Sequence, residues 1–198
     1  QWNAGERGRE TNLETWDAET RTWTISIGDS AVAWAKAIGK ILAGKHPAIT
    51  LVIDLSEIRA GGIRLRGYGW ISSGDATMAV AMEAIARILS RKAGRMLSFA
   101  DLHDIANWCG TVLSTRRSAQ IALCNYGAPN WREFAAFKKN MYVTGNKQRE
   151  QSNNSLVFWE RPTPDQLTEI FDLMLAAGGS EPGFVNGAAA RARAPWFA

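Results

Sequence analysis

Three short segments carry side chains suited to holding an anion or a ribose. GYGWISSGDAT sets Gly67, Gly69 and Gly74 just ahead of a predicted helix. Glycines allow a sharp turn there, and the N–H groups of a helix start can receive a phosphate or ribose oxygen. Ser72, Ser73 and Gly74 are the candidates in this segment. The spacing is not the dinucleotide fingerprint, because the third glycine is displaced and Ser72-Ser73 intrude. An ordinary tight turn with a Ser or Asp helix cap would use the same residues. TRRSAQ places Arg116 and Arg117 side by side before a predicted strand. Neighbours entering a strand point to opposite sides, so at most one of them faces a given pocket. A guanidinium suits bidentate phosphate contact or stacking on a base, and two solvated arginines would read the same way. SNNS, Ser152 to Ser155, gathers amides and hydroxyls that an Asx-turn also explains. Of the nine tryptophans, Trp70, Trp108 and Trp159 are able to stack on a flat ring, although packing is the ordinary use of the residue. Arg191 and Arg193 read as a solvated face.

The thiols and imidazoles are too few for metal chemistry. Cys109 and Cys124 stand apart with no CxxC spacing, and His46 and His103 are the two histidines, so no zinc site is expected. Both cysteines are expected to be small core residues. The 198 residues are 46% hydrophobic and 21% charged, which is material for one globular domain or a large piece of one, too apolar for a disordered chain. No run reaches the length of a membrane span, and QWNAGERGRE is not a signal peptide. A cytoplasmic location without membrane association is expected. The net charge of +4 and pI near 9.3 would suit an anionic ligand. The Lys and Arg residues are scattered rather than gathered in a stripe, so nucleic acid is not an expected partner.

The elements that must position these residues alternate between helix and strand. WDAETRTWTI predicts a hairpin, with Trp23, Ile25 and Ile27 alternating against polar neighbours. A helix capped by Asp29 or Ser30 follows, with Val32, Ala35, Ile38, Ile41 and Leu42 at helical spacing, and Gly44 ends it. AITLVIDLS, apolar on both faces, predicts a buried parallel strand. Beyond the glycine-rich segment, Met78, Met82, Ile85 and Leu89 form a helical stripe. Ser98 and Asp101 have capping-box spacing, followed by a face of Leu102, Ile105, Cys109, Val112 and Leu113. Ala119, Ile121 and Leu123 predict a strand, WREFAAFKKNM a short helix, and Ser155–Trp159 another strand. Thr163, Pro164 and Gln166 open a helix whose stripe is Leu167, Ile170, Phe171, Met174 and Leu175, stopped by Gly178-Gly179. The tail GSEPGFVNGAAARARAPWFA reads as loop with at most one helical turn. The pattern predicts an α/β architecture with a mainly parallel sheet.

In order along the chain, LVIDLSEIRAGGIRLRGYGWISSG, TRRSAQIAL, QSNNSLVFW and SEPGFVN resemble the catalytic domain of ribonucleotide reductases, most closely the class II ribonucleoside-triphosphate reductases. The likeness runs from Ile49 to Asn186, about two-thirds of the chain. It implies part of a ten-stranded α/β barrel built from two half-barrels, with residues 1–29 as an N-terminal hairpin region, 30–186 as half-barrel, and 187–198 as a tail leading to the barrel's finger loop. It also implies reduction of a ribonucleotide at its 2′-carbon. In that family adenosylcobalamin generates a thiyl radical on a finger-loop cysteine, a cysteine pair supplies electrons and is re-reduced through thioredoxin, and a dNTP effector selects the substrate.

The family's Asn-Pro-Cys-x-Glu finger loop is absent, and the chain reads as an internal fragment without an initiator Met. Neither Cys109 nor Cys124 matches a redox cysteine, so no catalytic residue is expected. The resemblance makes the TRRSA turn a specificity loop, with Arg116 the first choice for substrate base or phosphate contact and Arg117 and Ser118 in support. Ser72, Ser73 and Gly74 fall beside the nucleotide, and Asn153 and Asn154 along the active-site wall. Where relatives often have Gly-Gly-Thr, this chain has Gly69-Trp70-Ile71, and a Trp there narrows the pocket unless it points away. Two other functions fit the residues. One is a non-catalytic nucleotide-binding or regulatory remnant of the same fold. The other is a basic module for single-stranded nucleic acid, which the dominance of buried strands disfavours.

Overall fold

The structure is a computed structural model that describes residues 8–65, 71–112 and 120–194. The chain divides into two compact units, residues 1–96 with 111–116 and residues 97–110 with 117–198.

The first unit opens with the expected hairpin, β1 (Leu13–Asp17) against β2 (Thr22–Ser26), antiparallel with Trp16 opposite Trp23. Helix α1 (Ala31–Ala43) is capped by Ser30, whose Oγ accepts from the Ala33 N–H. Gly44 closes it at φ 58°, a left-handed conformation glycine adopts without a Cβ clash. Strand β3 (Thr50–Asp54) pairs parallel with β2, Ile25 opposite Ile53. Helix α2 (Gly74–Arg91) buries Met78, Ala81, Met82, Ile85 and Ile88. Trp23, Ile25, Ile27, Ala33, Ala37 and Ile41 add to the core of this unit. These side chains occupy one face of the three-stranded sheet and the inner faces of the helices, as period-2 and period-3.6 patterning requires. The expectation that β3 is buried on both faces is corrected: among the described residues it stands at the sheet's edge, and Val52 is exposed on the face opposite the core.

The second unit contains α3 (Phe99–Thr111) up to Gly110, β4 (Gln120–Asn125), α4 (Trp131–Ala135), a 3-10 turn at Lys147–Gln151, β5 (Ser152–Phe158), α5 (Pro164–Ala177), β6 (Gly183–Asn186) and α6 (Gly187–Arg193). Its strands form a parallel sheet in the order β4-β5-β6, with Leu123 opposite Ser155 and Val157 opposite Val185. One sheet face packs on helices: Leu156 and Phe158 join Trp131, Phe134, Ala135 and Ile170, with Ala122 and Cys124 against them. The Thr163 capping box forms in full, with Pro164 in the first turn.

Several expectations for this unit are corrected. WREFAAFKKNM is helical only over Trp131–Ala135, after which successive i to i+3 bonds such as Lys139 N–H to Ala136 carbonyl replace the α pattern. The buried line of α3 is His103, Asn107 and Gly110 with Ile105, while Leu102 is exposed. Phe171 and Leu175 are exposed too, because Ile170 alone of the α5 stripe is fully buried. The tail supplies a whole strand and a helix, β6 and α6, rather than a loop.

Candidate functional site

In the first unit, Ser72, Ser73 and Gly74 make the turn into α2. Ser72 is 2% exposed. Its backbone N–H donates to the Ile63 carbonyl at 2.7 Å, and its Oγ accepts from the Gly74 N–H at 3.1 Å. Ser73 Oγ donates to the Val112 carbonyl at 2.8 Å. Both hydroxyls therefore hold the chain's own backbone. Gly74 has φ +79°, and a Cβ there would lie 2.6 Å from the Gly61 nitrogen. The glycine is required by close backbone approach as well as by conformation.

In the second unit, the SNNS segment lies in β5, where alternation separates its two asparagines. Asn153 is exposed opposite Ile121, whereas Asn154 is 2% exposed on the helix side opposite Ala122. The Asn154 N–H donates to Glu181 Oε2 at 3.2 Å, and its side-chain oxygen has no partner. Glu181 is also held by Lys138 Nζ at 2.8 Å, and the same ammonium bonds the Ser152 carbonyl. This bracing fixes the start of β5. Arg116, Arg117, Ser118 and Trp70 lie outside the described residues.

The face of this sheet opposite the helices is open. Ile121 is 76% and Leu123 44% exposed. Toward the carboxyl ends of the strands this face runs into a hollow of about 200 Å³ lined by Leu123, Asn125, Val157, Trp159, Val185 and Arg191, among others. A second hollow of about 560 Å³ shares Trp159 and Arg191 with it and adds Ala188 and Ala192. Trp159, one residue beyond β5, donates its indole N–H to Asn125 Oδ1 at 3.0 Å. The Arg191 guanidinium lies 4.3 Å from the centre of its ring, a cation–π arrangement. Arg191 and Arg193 are both exposed, as a solvated face requires, and Arg191 adds this one ring contact. Asn125 went unnoticed in the sequence, because its bond to Trp159 joins residues 34 positions apart.

The thiols offer no nucleophile. Burial pushes the Cys109 and Cys124 thiols up from their ordinary value, so both stay protonated near neutrality. Both imidazoles are committed elsewhere. His46 stacks on Trp16, with ring centres 4.8 Å apart, and its Nε2 is 3.3 Å from Glu14. His103 is buried among Phe99, Phe134 and Phe137. Among the described residues, no three His, Cys, Asp or Glu side chains converge on a possible metal position. No helix among the described residues is long and apolar enough to cross a membrane.

Comparison with known proteins matches this chain to one group. No family model matches it. An adenosylcobalamin-dependent ribonucleoside-triphosphate reductase of Lactobacillus gasseri is 34% identical over 142 residues, 69% of this chain and 18% of the relative. Proteins of the same description from Lactobacillus leichmannii and Euglena gracilis are 31% and 30% identical over 142 and 143 residues, covering 69% and 68% of this chain. The crystal structure of a B12-dependent (class II) ribonucleotide reductase superposes with a TM-score of 0.58 at 23% identity, over 72% of this chain and 20% of that one. The expected α/β fold, part of that family's barrel, is borne out. The chain spans about a fifth of the length of these relatives. By sequence and by fold it is a homologue of one segment of the adenosylcobalamin-dependent, class II ribonucleotide reductases.

Proposed function

We propose that this chain is a substrate-handling segment of a ribonucleoside-triphosphate reductase, an oxidoreductase that makes 2′-deoxyribonucleotides for DNA synthesis. The observation that carries this reading is the 34% identity over 142 residues to a reductase of that description. In the whole enzyme adenosylcobalamin initiates the radical chemistry, from a site outside the described residues, and the reducing equivalents come from thioredoxin or a similar dithiol. A dNTP effector and a cytoplasmic location belong to the same reading.

Within it, the open face of the β4-β5-β6 sheet lies toward the nucleotide and presents Asn153. Arg116 contacts the substrate base or phosphate, supported by Arg117 and Ser118. Ser72, Ser73 and Gly74 shape the turn beside the nucleotide, and Asn154 holds the wall from behind through its bond to Glu181.

The test uses the full-length protein that contains this chain, supplied with each of the four ribonucleoside triphosphates, adenosylcobalamin and a dithiol. The expected result is 2′-deoxynucleotide product, with Arg116→Ala altering the preference among substrates or the response to effectors. Nucleotide binding without product from any substrate would replace this reading with the non-catalytic remnant. Unchanged kinetics for all four substrates would remove Arg116 from the site.

A further inference from the structure

We propose that the exposed arginines at the end of α2 form a docking stripe for an acidic helix of a partner protein. Over the whole chain the Lys and Arg residues are scattered, but Arg87, Arg91 and Arg95 follow one another at four-residue steps. All three are exposed. Arg87 and Arg91 share one face of α2, which ends at Arg91. Arg95 stays in line because the chain keeps turning beyond the helix. The Ala93 N–H donates to the Ser90 carbonyl and the Arg95 N–H to the Lys92 carbonyl, and the Arg95 guanidinium reaches back to the Arg91 carbonyl.

The helix itself does not call for this stripe. Like charges four residues apart on a helix repel, and Arg87 and Arg91 are such a pair. The carboxylate of Glu83, one turn earlier, is bound to Arg87. Among the described residues Arg91 has no acidic partner. The negative end of the helix dipole accounts for a cation in the last turn, where Arg91 stands. Arg87 lies a turn too early for that.

Charge and spacing select the partner. The three positions step by about 6 Å, over about 12 Å in all. Carboxylates at i, i+4 and i+8 on one face of a second helix repeat with the same step, and each can take a guanidinium bidentately. Val80, seven residues before Arg87 and on its face, is 55% exposed, and Met96 beside Arg95 is 91% exposed. These aliphatic side chains bracket the charges, as an amphipathic partner helix requires. A single-stranded nucleic acid also repeats its charge, but its bases need aromatic rings to stack on. No residue from Val80 to Met96 is aromatic.

This inference stands apart from the reductase reading, and its test does not use activity. The 198-residue chain is added to a labelled, alanine-based helical peptide with Glu at i, i+4 and i+8, and fluorescence anisotropy is followed. An isomeric peptide with the three Glu consecutive and a short oligothymidylate serve as comparison probes. The first peptide is expected to bind saturably, and the isomer more weakly. Arg91→Glu weakens binding about tenfold, the scale of one charge-assisted contact. Lys139→Glu, the same charge change at an exposed residue of the second unit, leaves the affinity unchanged. Both substituted side chains are exposed, and circular dichroism confirms that each variant keeps its fold. Absence of binding, equal binding of the isomer, or an equal loss in Lys139→Glu overturns the proposal. Tighter binding of the oligothymidylate overturns it in favour of a nucleic-acid surface. Self-association of the chain that Arg91→Glu abolishes overturns it in favour of a second copy.

Discussion

His103 shows how one side chain can carry a pH dependence without taking part in chemistry. Its ring lies 4.1 Å from that of Phe137 and is inclined by only 4°, Phe134 is stacked beyond at 5.8 Å, and Phe99 meets it edge-on. Neither ring nitrogen has a hydrogen-bond partner, so the residue serves as a flat apolar block. Desolvation lowers its pKa to about 4, Asp104 opposing this and Arg149 and Lys138 adding to it. The unfolded chain takes up this proton near pH 6.5, well before the folded chain does. The stabilising contribution is therefore complete above about pH 6.5 and is lost as the pH falls toward 4, on the order of 3 kcal/mol in all. His103→Phe keeps the stack and removes the titration. Urea unfolding near neutrality and at about pH 4.5 should show the parent losing markedly more stability between the two conditions than the variant. Equal losses would mean that His103 does not carry the effect.

At the scale of elements, the turn into α2 depends on two glycines in different ways. Gly62 has φ +87° and open space around it, whereas Gly74 combines φ +79° with backbone atoms 2.6 Å from where a Cβ would sit. Gly62→Ala should cost about 1 kcal/mol, for conformation alone. Gly74→Ala should cost more, about 2 kcal/mol or above, because the Gly61 backbone must also shift. Thermal unfolding of the two variants gives the order, and a reversed order would contradict the close approach. The sequence signalled this turn, the Ser30 and Thr163 caps and the Gly44 stop, because caps and left-handed glycines are local devices. It did not signal β6 and α6. GFVN is too short for a period, and it becomes a strand only because β5 offers it a parallel edge. The same reason hid the sidedness of SNNS: strand alternation, set by the pairing of Asn153 with Ile121, sends Asn153 outward and Asn154 under the helices. Composition carries no record of that register. Asn125 belongs to the candidate site through a bond to a residue 34 positions away, a contact no spacing rule reveals.

At the scale of the whole molecule, both units repeat one asymmetry: a three-stranded sheet with its longer helices on one face, the opposite face of the second sheet meeting only the short α6 near the strands' carboxyl ends. In the first unit Trp23 and Ile25 are buried while Val52 and Leu13 are exposed. In the second, Leu156 is fully buried beneath the helices and Ile121 is 76% exposed on the opposite face. Covering a single face leaves the other free to line an interior or meet a ligand, as barrel strands do. If that sidedness governs the energetics, substitutions on the two faces of the second sheet must have very different costs. Leu156→Ala removes packing against Trp131, Phe134 and Ile170 and should cost about 2–5 kcal/mol. Ile121→Ser takes away a side chain that already stands in water, and should stay within about 0.5 kcal/mol. Chemical denaturation of the 198-residue chain measures both. A cost for Ile121→Ser approaching that of Leu156→Ala would show that the face bearing Asn153 and Asn125 is covered in solution, and therefore not open to a nucleotide. A small cost for Ile121→Ser beside a large one for Leu156→Ala leaves that face available, with its apolar surface held in place by the helices behind it rather than by any cover of its own.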